Sequence, residues 1–537
     1  MSAINRRTFL KTAGLGAGAL FLPSLVTRCA RPAPRPNILL IMADDMGYSD
    51  LGCYGGEIDT PNLNQLAAEG LRFSQFYNNA KCAPTRASLL TGLYAQQVGN
   101  GKMAQCVTIA EVLRQAGYRT LMTGKWHADP LPTTRGFDRY YGMADGCSNY
   151  WNPGKPRPGE PAPVHKHFPR RYAIDGTVYQ PFTPTDPDFF TTDAFTDHAL
   201  AYLDQYGSED RPFFLYVAYK APHYPLQAWP EDIAKYQGTY LQGWDALRHQ
   251  RHQRMIDLGL VKKEWALSPR DPRVPAWEDV EERAGWDMAA LREHTLGDLP
   301  WESVLDRAAW DLKMATYAAM VDRMDQNIGR LLDKVQSLGK ADDTLVLFLS
   351  DNGGCAELVH LSPDVPPGPV NSYHTVDPPW ANAQNTPFRK YKRWDQEGGI
   401  STPLIARWPG KIAPGKITHQ PGHIIDIMAT CVDLAGADYP AQFQGQAIPP
   451  LEGQSLAPIF RGDTRKGHDA IYWQYGRTKA IRQGQWKLVQ VDDDPWELYD
   501  MAADRTELHN LADQQPDRVL AMVQRYEAWA ERTGAKT

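Results

Sequence analysis

Four stretches of this chain are built mainly from apolar residues of strand length, and each ends abruptly in side chains that ionise or bind metals. The first, Asn37-Ile38-Leu39-Leu40-Ile41-Met42-Ala43, runs into Asp44-Asp45-Met46-Gly47. A shorter one, Tyr118-Arg119-Thr120-Leu121-Met122, is followed by Gly124-Lys125-Trp126-His127. Phe213 to Tyr219 leads to Lys220-Ala221-Pro222-His223, and Thr344 to Leu349 leads to Ser350-Asp351-Asn352-Gly353-Gly354. Apolar side chains at successive positions, rather than alternate ones, fit a central strand of a parallel sheet covered by helices on both faces. Helical segments lie between the strands, for example Thr108 to Gln115 and Leu312 to Lys334, as a doubly wound sheet requires. Open sheets of this class gather ligands outside the carboxyl ends of their strands. One polar ending alone is an ordinary loop or helix cap; four of them predict a single site at one sheet edge.

Between the first two strands, Lys81-Cys82-Ala83-Pro84-Thr85-Arg86-Ala87-Ser88-Leu89-Leu90-Thr91-Gly92 spells a short helix. Pro84 suits a first turn, where a missing N–H costs nothing, and Gly92 is a natural stop. Cys82 then sits beside free backbone N–H groups and the positive end of a helix dipole, a seat for an anion. Arg86, four residues on, can return its planar fork of donors to the same spot. On these local features a buried structural cysteine, a low-pKa thiolate and a modified residue all stay open.

The character changes late in the chain. Beyond His423 and Asp426 a helix is expected to about Leu434. Short strands follow at Ala470 to Tyr475, Thr478 to Arg482 and Gln485 to Val489, with Gly484 marking a hairpin, and a helix from about Asp517 to Arg532 closes the chain. Two segments lack a strand pattern. Trp151 to Pro187 is Pro-rich, carries His165, Lys166, His167, Arg170 and Arg171, and reads as a loop over the mouth of the site. Gln227 to Arg307 reads as a structural helical excursion. The expected fold is α/β, a large mostly parallel sheet flanked by helices over residues 37–435. A smaller C-terminal antiparallel sheet with a terminal helix is expected over residues 436–537.

The chain has 537 residues, 22% of them charged, and a net charge of −6, so nothing proposes nucleic acid as a partner. Residues 1–30 read as an address. Asn5-Arg6-Arg7-Thr8-Phe9-Leu10-Lys11 resembles a twin-arginine export signal, and the Gly-rich run from Ala13 to Val26 is too short to span a bilayer comfortably. A Pro/Arg linker over residues 31–36 follows. The twin-arginine translocase is then a partner, and the product is periplasmic or secreted. Lipoprotein anchoring at Cys29 is the lesser expectation, because Arg28 stands where a lipobox has a small residue. The seven cysteines, at 29, 53, 82, 106, 147, 355 and 431, show no C-x-x-C pair and no zinc spacing. With Cys29 removed and Cys82 modified an odd number remains, so most are expected to be packed thiols.

At the predicted sheet edge, Asp44, Asp45, Asp351 and Asn352 offer only hard oxygen ligands, which favours calcium or magnesium over zinc, and calcium where ligands are numerous. Arg86, Lys125, His127, His223 and Lys392 supply positive charge and donors. Together they describe an anion pocket with a metal, suited to stabilising charge on a tetrahedral sulfuryl or phosphoryl group.

Cys-x-Pro-Thr-Arg from Cys82 to Arg86, followed by Leu90-Thr91-Gly92, resembles the signature of the formylglycine-dependent sulfatases, arylsulfatase-like members of the alkaline phosphatase superfamily. The resemblance runs from about Asn37 to about Ala512, and it includes Lys392 within Pro387-Phe388-Arg389-Lys390-Tyr391-Lys392, the Glu397-Gly398-Gly399-Ile400 element and the Glu497-Leu498-Tyr499-Asp500 element. It implies that a formylglycine-generating enzyme converts Cys82 to formylglycine, whose hydrated aldehyde is the nucleophile and a metal ligand beside Asp44, Asp45, Asp351 and Asn352. It implies a double displacement at sulfur, with His223 as the leaving-group acid, Lys392 nearby, and His127 assisting sulfate release. Lys125 and Arg86 would be electrostatic clamps. The substrate would be a sulfated small molecule or carbohydrate. A phosphoester or phosphonate ester hydrolase of the same superfamily is the alternative, since the pocket also fits a phosphoryl group. A non-catalytic sulfated-glycan binder would lack the nucleophile or the metal ligands, and none is missing.

Overall fold

The four apolar strands are neighbours. Thr344–Ser350, Asn37–Ala43, Phe213–Ala218 and Arg119–Gly124 lie side by side in that order, all parallel. Their register brings the polar endings out level: Met42 pairs with Leu349 and Ala218, and Gly124 pairs with Ala218. The architecture is that of a computed structural model, which describes residues 35–164, 170–282 and 306–535 with the backbone of Thr295 and Leu296. The expected export signal over residues 1–30, Cys29, nearly all of the expected 31–36 linker, and His165, Lys166 and His167 lie outside the described residues.

Successive side chains of a strand point to opposite faces, and both faces here are covered. Leu39 and Ile41 join a core with Phe195, Ala199 and Leu203 of the helix Thr191–Tyr206 and with Met314, Ala318 and Val321 of the helix Arg307–Ser337. Ile38, Leu40 and Met42 join the opposite core with Leu89 and Leu90 of Cys82–Thr91, Val112 and Leu113 of Ile109–Gln115, and Ile427 and Met428 of Asp426–Ala435. Beyond the parallel centre, Ser401–Arg407 runs antiparallel and is followed by Leu71–Tyr77, which Lys416–Thr418 and Gly422–His423 both pair. The sheet has eleven strands and is mostly parallel, as expected.

The segment Trp151 to Pro187 is not only loop. Tyr172–Ile174 and Thr177–Tyr179 form a hairpin that extends the sheet edge beyond Arg139–Met143. Asp175-Gly176 is its two-residue turn, with Asp175 at φ 52, and an Asp-Gly pair is a strong hairpin signal that periodicity does not register. In the second insertion the helices Pro230–Ala234 and Gly243–Asp257 bear out the helical excursion. Its buried Arg251 donates to Asp50 at 2.7 Å and to Glu57 at 2.8 Å, bracing the loop that follows Asp44 and Asp45.

Gly436, at φ 58, stops the helix Asp426–Ala435, and the strands Ile471–Tyr475, Thr478–Gln483, Trp486–Val491 and Glu497–Asp500 form an antiparallel sheet in sequence order. A fully buried ionic cluster ties it to the rest. Lys487 Nζ lies 3.0 Å from Glu397 Oε1 and 2.7 Å from Glu507 Oε1, and Arg505 Nε lies 3.0 Å from Glu397 Oε2. Removing one partner of such a pair leaves a charge buried without compensation, at a cost of about 3–5 kcal/mol. Lys487→Met is therefore expected to lose stability on that scale in urea unfolding, since Glu507 then faces Glu397. A loss below about 1 kcal/mol, the range of exposed pairs, would show that the cluster does not hold the small sheet in place.

Candidate active site

Strand ends deliver Asp44, Asp45, Lys125, Asp351 and Asn352, while Cys82 opens a helix and Arg86 lies one turn inside it. The strand Asn37–Ala43 delivers Asp44, whose N–H donates to Ala221 O at 3.0 Å, and Asp45, held at φ 65 with its N–H directed at Asp351 Oδ1 at 3.3 Å. After Arg119–Gly124 the chain turns at Gly124, φ 105, where a Cβ would lie 2.0 Å from Ala218 O, so only glycine allows the approach that aims Lys125 inward. Lys125 N–H donates to that same Ala218 O, and its Nζ donates to Asp44 Oδ2. Strand Thr344–Ser350 delivers Asp351 and Asn352, both fully buried.

The predicted helix is Cys82–Thr91, capped at its end by Gly92 in the left-handed conformation, and no side chain caps its start. Cys82, 2% exposed, is its first residue. Arg86 donates from Nε at 3.0 Å and Nη2 at 2.8 Å to Asp351 Oδ2, and from Nη1 at 2.8 Å to Lys125 O. It thus locks the ends of two strands together. Cys82 Sγ and carboxylate oxygens of Asp44 and Asp351 all lie within 4.8 Å of one another.

The other half of the cluster gathers on Asp45. Lys392 Nζ donates to Asp45 Oδ2 at 2.8 Å, His223 Nε2 is 3.5 Å from the same oxygen, and Asn352 Nδ2 donates to Oδ1 at 2.7 Å. His223 Nδ1 is 2.6 Å from Tyr224 O, so Nδ1 carries the hydrogen and Nε2 is the atom that faces the cluster. His127, at φ 55, has its ring against Gly146 and a buried Nδ1 without a hydrogen-bond partner. All ten residues expected at the sheet edge are thus brought to one place.

Burial and charge set the protonation of these groups. Burial, reinforced by mutual repulsion, pushes the carboxyls of Asp44 and Asp351 up. Burial opposes ionisation of Asp45 as well, but His223 and Lys392 beside it hold it well below the usual carboxylate range. Lys392 resists the same burial because Asp45 stabilises its ammonium, which is held well above the ordinary lysine value. Burial pushes His223 down to about 3, against the pull of Asp45, and burial with Lys125 and Arg86 pushes His127 well below its usual value. Both imidazoles are neutral at pH 7.

The residues present fit a divalent cation. Asp44, Asp45 and Asp351 are three buried carboxylates in one pocket, and Asp44 Oδ1 and Asn352 Oδ1 are buried with no partner. Such oxygens are the ligands that calcium and magnesium take. The expected set was oxygen only, with position 82 in it as formylglycine; Cys82 Sγ groups with Asp44 and Asp351, and the structure adds His223, which groups with Asp44 and Asp45.

Glu357 had no sequence signal, whereas Lys220 stood in a polar strand ending without a role. Glu357 accepts from Lys81 Nζ at 2.9 Å and from Tyr224 OH at 2.8 Å, and although burial opposes its charge, Lys392 and Lys81 hold it ionised. Lys220 is buried, donating to Ser148 O over the face of the Tyr150 ring, and burial depresses its pKa strongly. A cavity of about 850 Å³ between Gly259–Trp265 and Lys466–Asp469 is lined by none of these residues. The six described cysteines are all free, and burial raises Cys53 and Cys431 to about 12, so these two are packed thiols as expected.

The chain is similar in sequence and fold to known proteins. Residues 36–437 match the family model Sulfatase, and residues 388–526 match N-sulphoglucosamine sulphohydrolase, C-terminal. The chain is 31% identical to an arylsulfatase of Klebsiella aerogenes, over 79% of this chain and 92% of that protein. It is 28% identical to an N-acetylglucosamine-6-O-sulfatase of Bacteroides thetaiotaomicron, over 93% of this chain and 86% of that one. A crystal structure of Ps i-CgsB in complex with k-i-k-neocarrahexaose aligns with a TM-score of 0.65 at 27% identity, covering 92% of this chain and 93% of that one.

Proposed function

This chain belongs to the sulfatase family, and we propose that it cleaves carbohydrate sulfate esters with a formylglycine formed from Cys82 as nucleophile and calcium as its metal. The observation that carries the reading is the placement of Cys82 Sγ beside Asp44 and Asp351 at an uncapped helix start. The sugar-sulfate preference is supported by the Bacteroides relative and by the oligosaccharide complex of the structural neighbour.

A formylglycine at position 82 would supply a geminal diol, one hydroxyl for attack on sulfur and the other for release of sulfate. A cation on Asp44, Asp45, Asp351 and Asn352 supplies Lewis acidity that favours the ionised nucleophile. The rest belongs to the chain's own side chains. Arg86 fixes the carboxylate of Asp351 and the strand end at Lys125 O through three of its five N–H donors. Lys125 and Lys392 are the ammonium groups that face a bound anion. His223, oriented through Nδ1 on Tyr224 O, presents an unprotonated Nε2 at pH 7, which must first take up a proton before passing it to the departing oxygen. His127, with Nδ1 unpartnered, accepts one as sulfate is released. On this reading Arg6 and Arg7 direct export of a folded protein, so Cys82 is oxidised before it leaves the cytoplasm for the periplasm or beyond.

Parallel assays on an aryl sulfate, the matching aryl phosphate and a panel of sulfated sugars test the proposal. Faster turnover of sulfate is expected, and the reverse order would favour a phosphoester hydrolase. Run after treatment with a strong chelator, the same assay should show activity suppressed and then restored by calcium or magnesium. Restoration by zinc alone would contradict the oxygen-ligand argument, since zinc sites are rich in His and Cys.

A further inference from the structure

A groove of about 280 Å³ leaves the catalytic cluster at Lys392 and Glu357 and ends against the small C-terminal sheet, at the turn Tyr475-Gly476-Arg477-Thr478. It starts on the side of the proposed leaving-group donors, because Lys392 and His223 both lie on Asp45 Oδ2. In a chain of net charge −6, its lining carries four cations, Arg273, Lys392, Arg393 and Arg477, against two carboxylates, Glu357 and Asp492.

Two of these arginines have donors to spare. Arg393 holds φ 82, a region that costs a side-chain-bearing residue about 1–2 kcal/mol relative to glycine. Its nearest carboxylate, Glu357, is 3.8 Å from Nη1, too far for a hydrogen bond, and its side chain is 56% exposed. Arg477 meets Asp492 through Nε at 2.6 Å, with the arginine side chain 75% exposed. An exposed pair of this kind contributes little, and both Nη groups of Arg477 have no other partner among the described residues. Half-buried Trp394 and Tyr475 give the groove apolar faces between the charges. A sugar ring needs such a face, and an anionic substituent needs the arginine forks.

We propose that this groove is a specificity site for a leaving-group saccharide bearing a second anionic group, a sulfate or a carboxylate, read by Arg393 and Arg477. The proposal rests on the sulfate-ester reading of the neighbouring cluster. It makes the C-terminal sheet a wall of the substrate site rather than only a buttress.

Calorimetric titration with a desulfated product, a saccharide keeping one sulfate or one uronate, reads the groove without turnover. Arg393→Gly, which relieves the backbone, and Arg477→Gln should each weaken its binding about tenfold, the effect of one hydrogen bond to a charged group. Raising the salt concentration should weaken wild-type binding more than that of either variant. In turnover, the ratio of kcat/KM for a disulfated disaccharide to that for an aryl sulfate should fall about tenfold, through KM. The sulfated and uronate probes separate the two anion types. Equal binding of charged and uncharged saccharides, or variants that leave that ratio unchanged, would overturn the proposal. Charge-dependent binding without hydrolysis of any sulfate ester would instead keep the groove and remove the reading of the catalytic cluster.

Discussion

Cys82→Ala eliminates turnover of every sulfate ester while the protein stays folded. Position 82 opens a helix, where alanine is the best helix former, and the change only shortens one small side chain in a site already crowded by Asp44 and Asp351. The stability change is therefore expected within about 1 kcal/mol, the centre of the range for single substitutions. Removal of a nucleophile leaves only binding and electrostatics, and typically lowers kcat by about 10⁴–10⁶-fold. The native side chain is expected not to be a thiol: peptide mass spectrometry of active protein should find the mass deficit of thiol-to-aldehyde conversion at position 82. A fully active preparation with an intact Cys82 thiol would sink the proposal and return the thiolate to consideration. Retention of more than a hundredth of the activity by the alanine variant would remove position 82 as the nucleophile in either form.

The sheet edge was legible because its cause is local. Strands such as Asn37–Ala43 and Thr344–Ser350 must be apolar on both faces, and the residues that break the pattern are the ones that emerge at the ligand edge. Their order was not legible. Nothing in the sequence says that Thr344–Ser350 lies beside Asn37–Ala43, a pairing that joins Asp351 to Asp44 and Asp45 across three hundred residues of chain. Glu357 is invisible for the same reason, since only tertiary placement gives it Lys81 and Tyr224. The Glu397-Gly398-Gly399-Ile400 element was recognised as a spelling without a reason. The reason is packing: a Cβ at Gly398 would lie 2.2 Å from Lys390 O and one at Gly399 2.0 Å from Trp394 O. Glu397 itself anchors Lys487 and Arg505. Hairpin 172–179 was missed because its signal is a turn dipeptide and not a period.

Loss of the His223 imidazole is expected to hurt poor leaving groups far more than good ones. A nitrophenolate departs with little help, whereas a sugar alkoxide is too basic to leave unprotonated, and general acid catalysis contributes about 10²–10⁴-fold. His223→Ala should therefore lose most of that factor on a sugar sulfate and clearly less on an activated aryl sulfate. His127→Ala should slow both alike if it serves the later release of sulfate. The pH dependence carries the same signature. Burial holds His223 down to about 3, so the fraction carrying a proton on Nε2 grows as pH falls. The ratio of sugar-sulfate to aryl-sulfate turnover in the native enzyme should accordingly rise as pH is lowered through neutrality, and His223→Ala should flatten it. Lys392 gives the opposite expectation, because its ammonium is held well above the ordinary value and its protonation does not change across neutral pH. Equal losses for His223→Ala across leaving groups of very different basicity, with an unaltered pH slope, would take the acid role from His223. Lys392, on the same oxygen of Asp45, would then be the donor to test with the same pair of substrates.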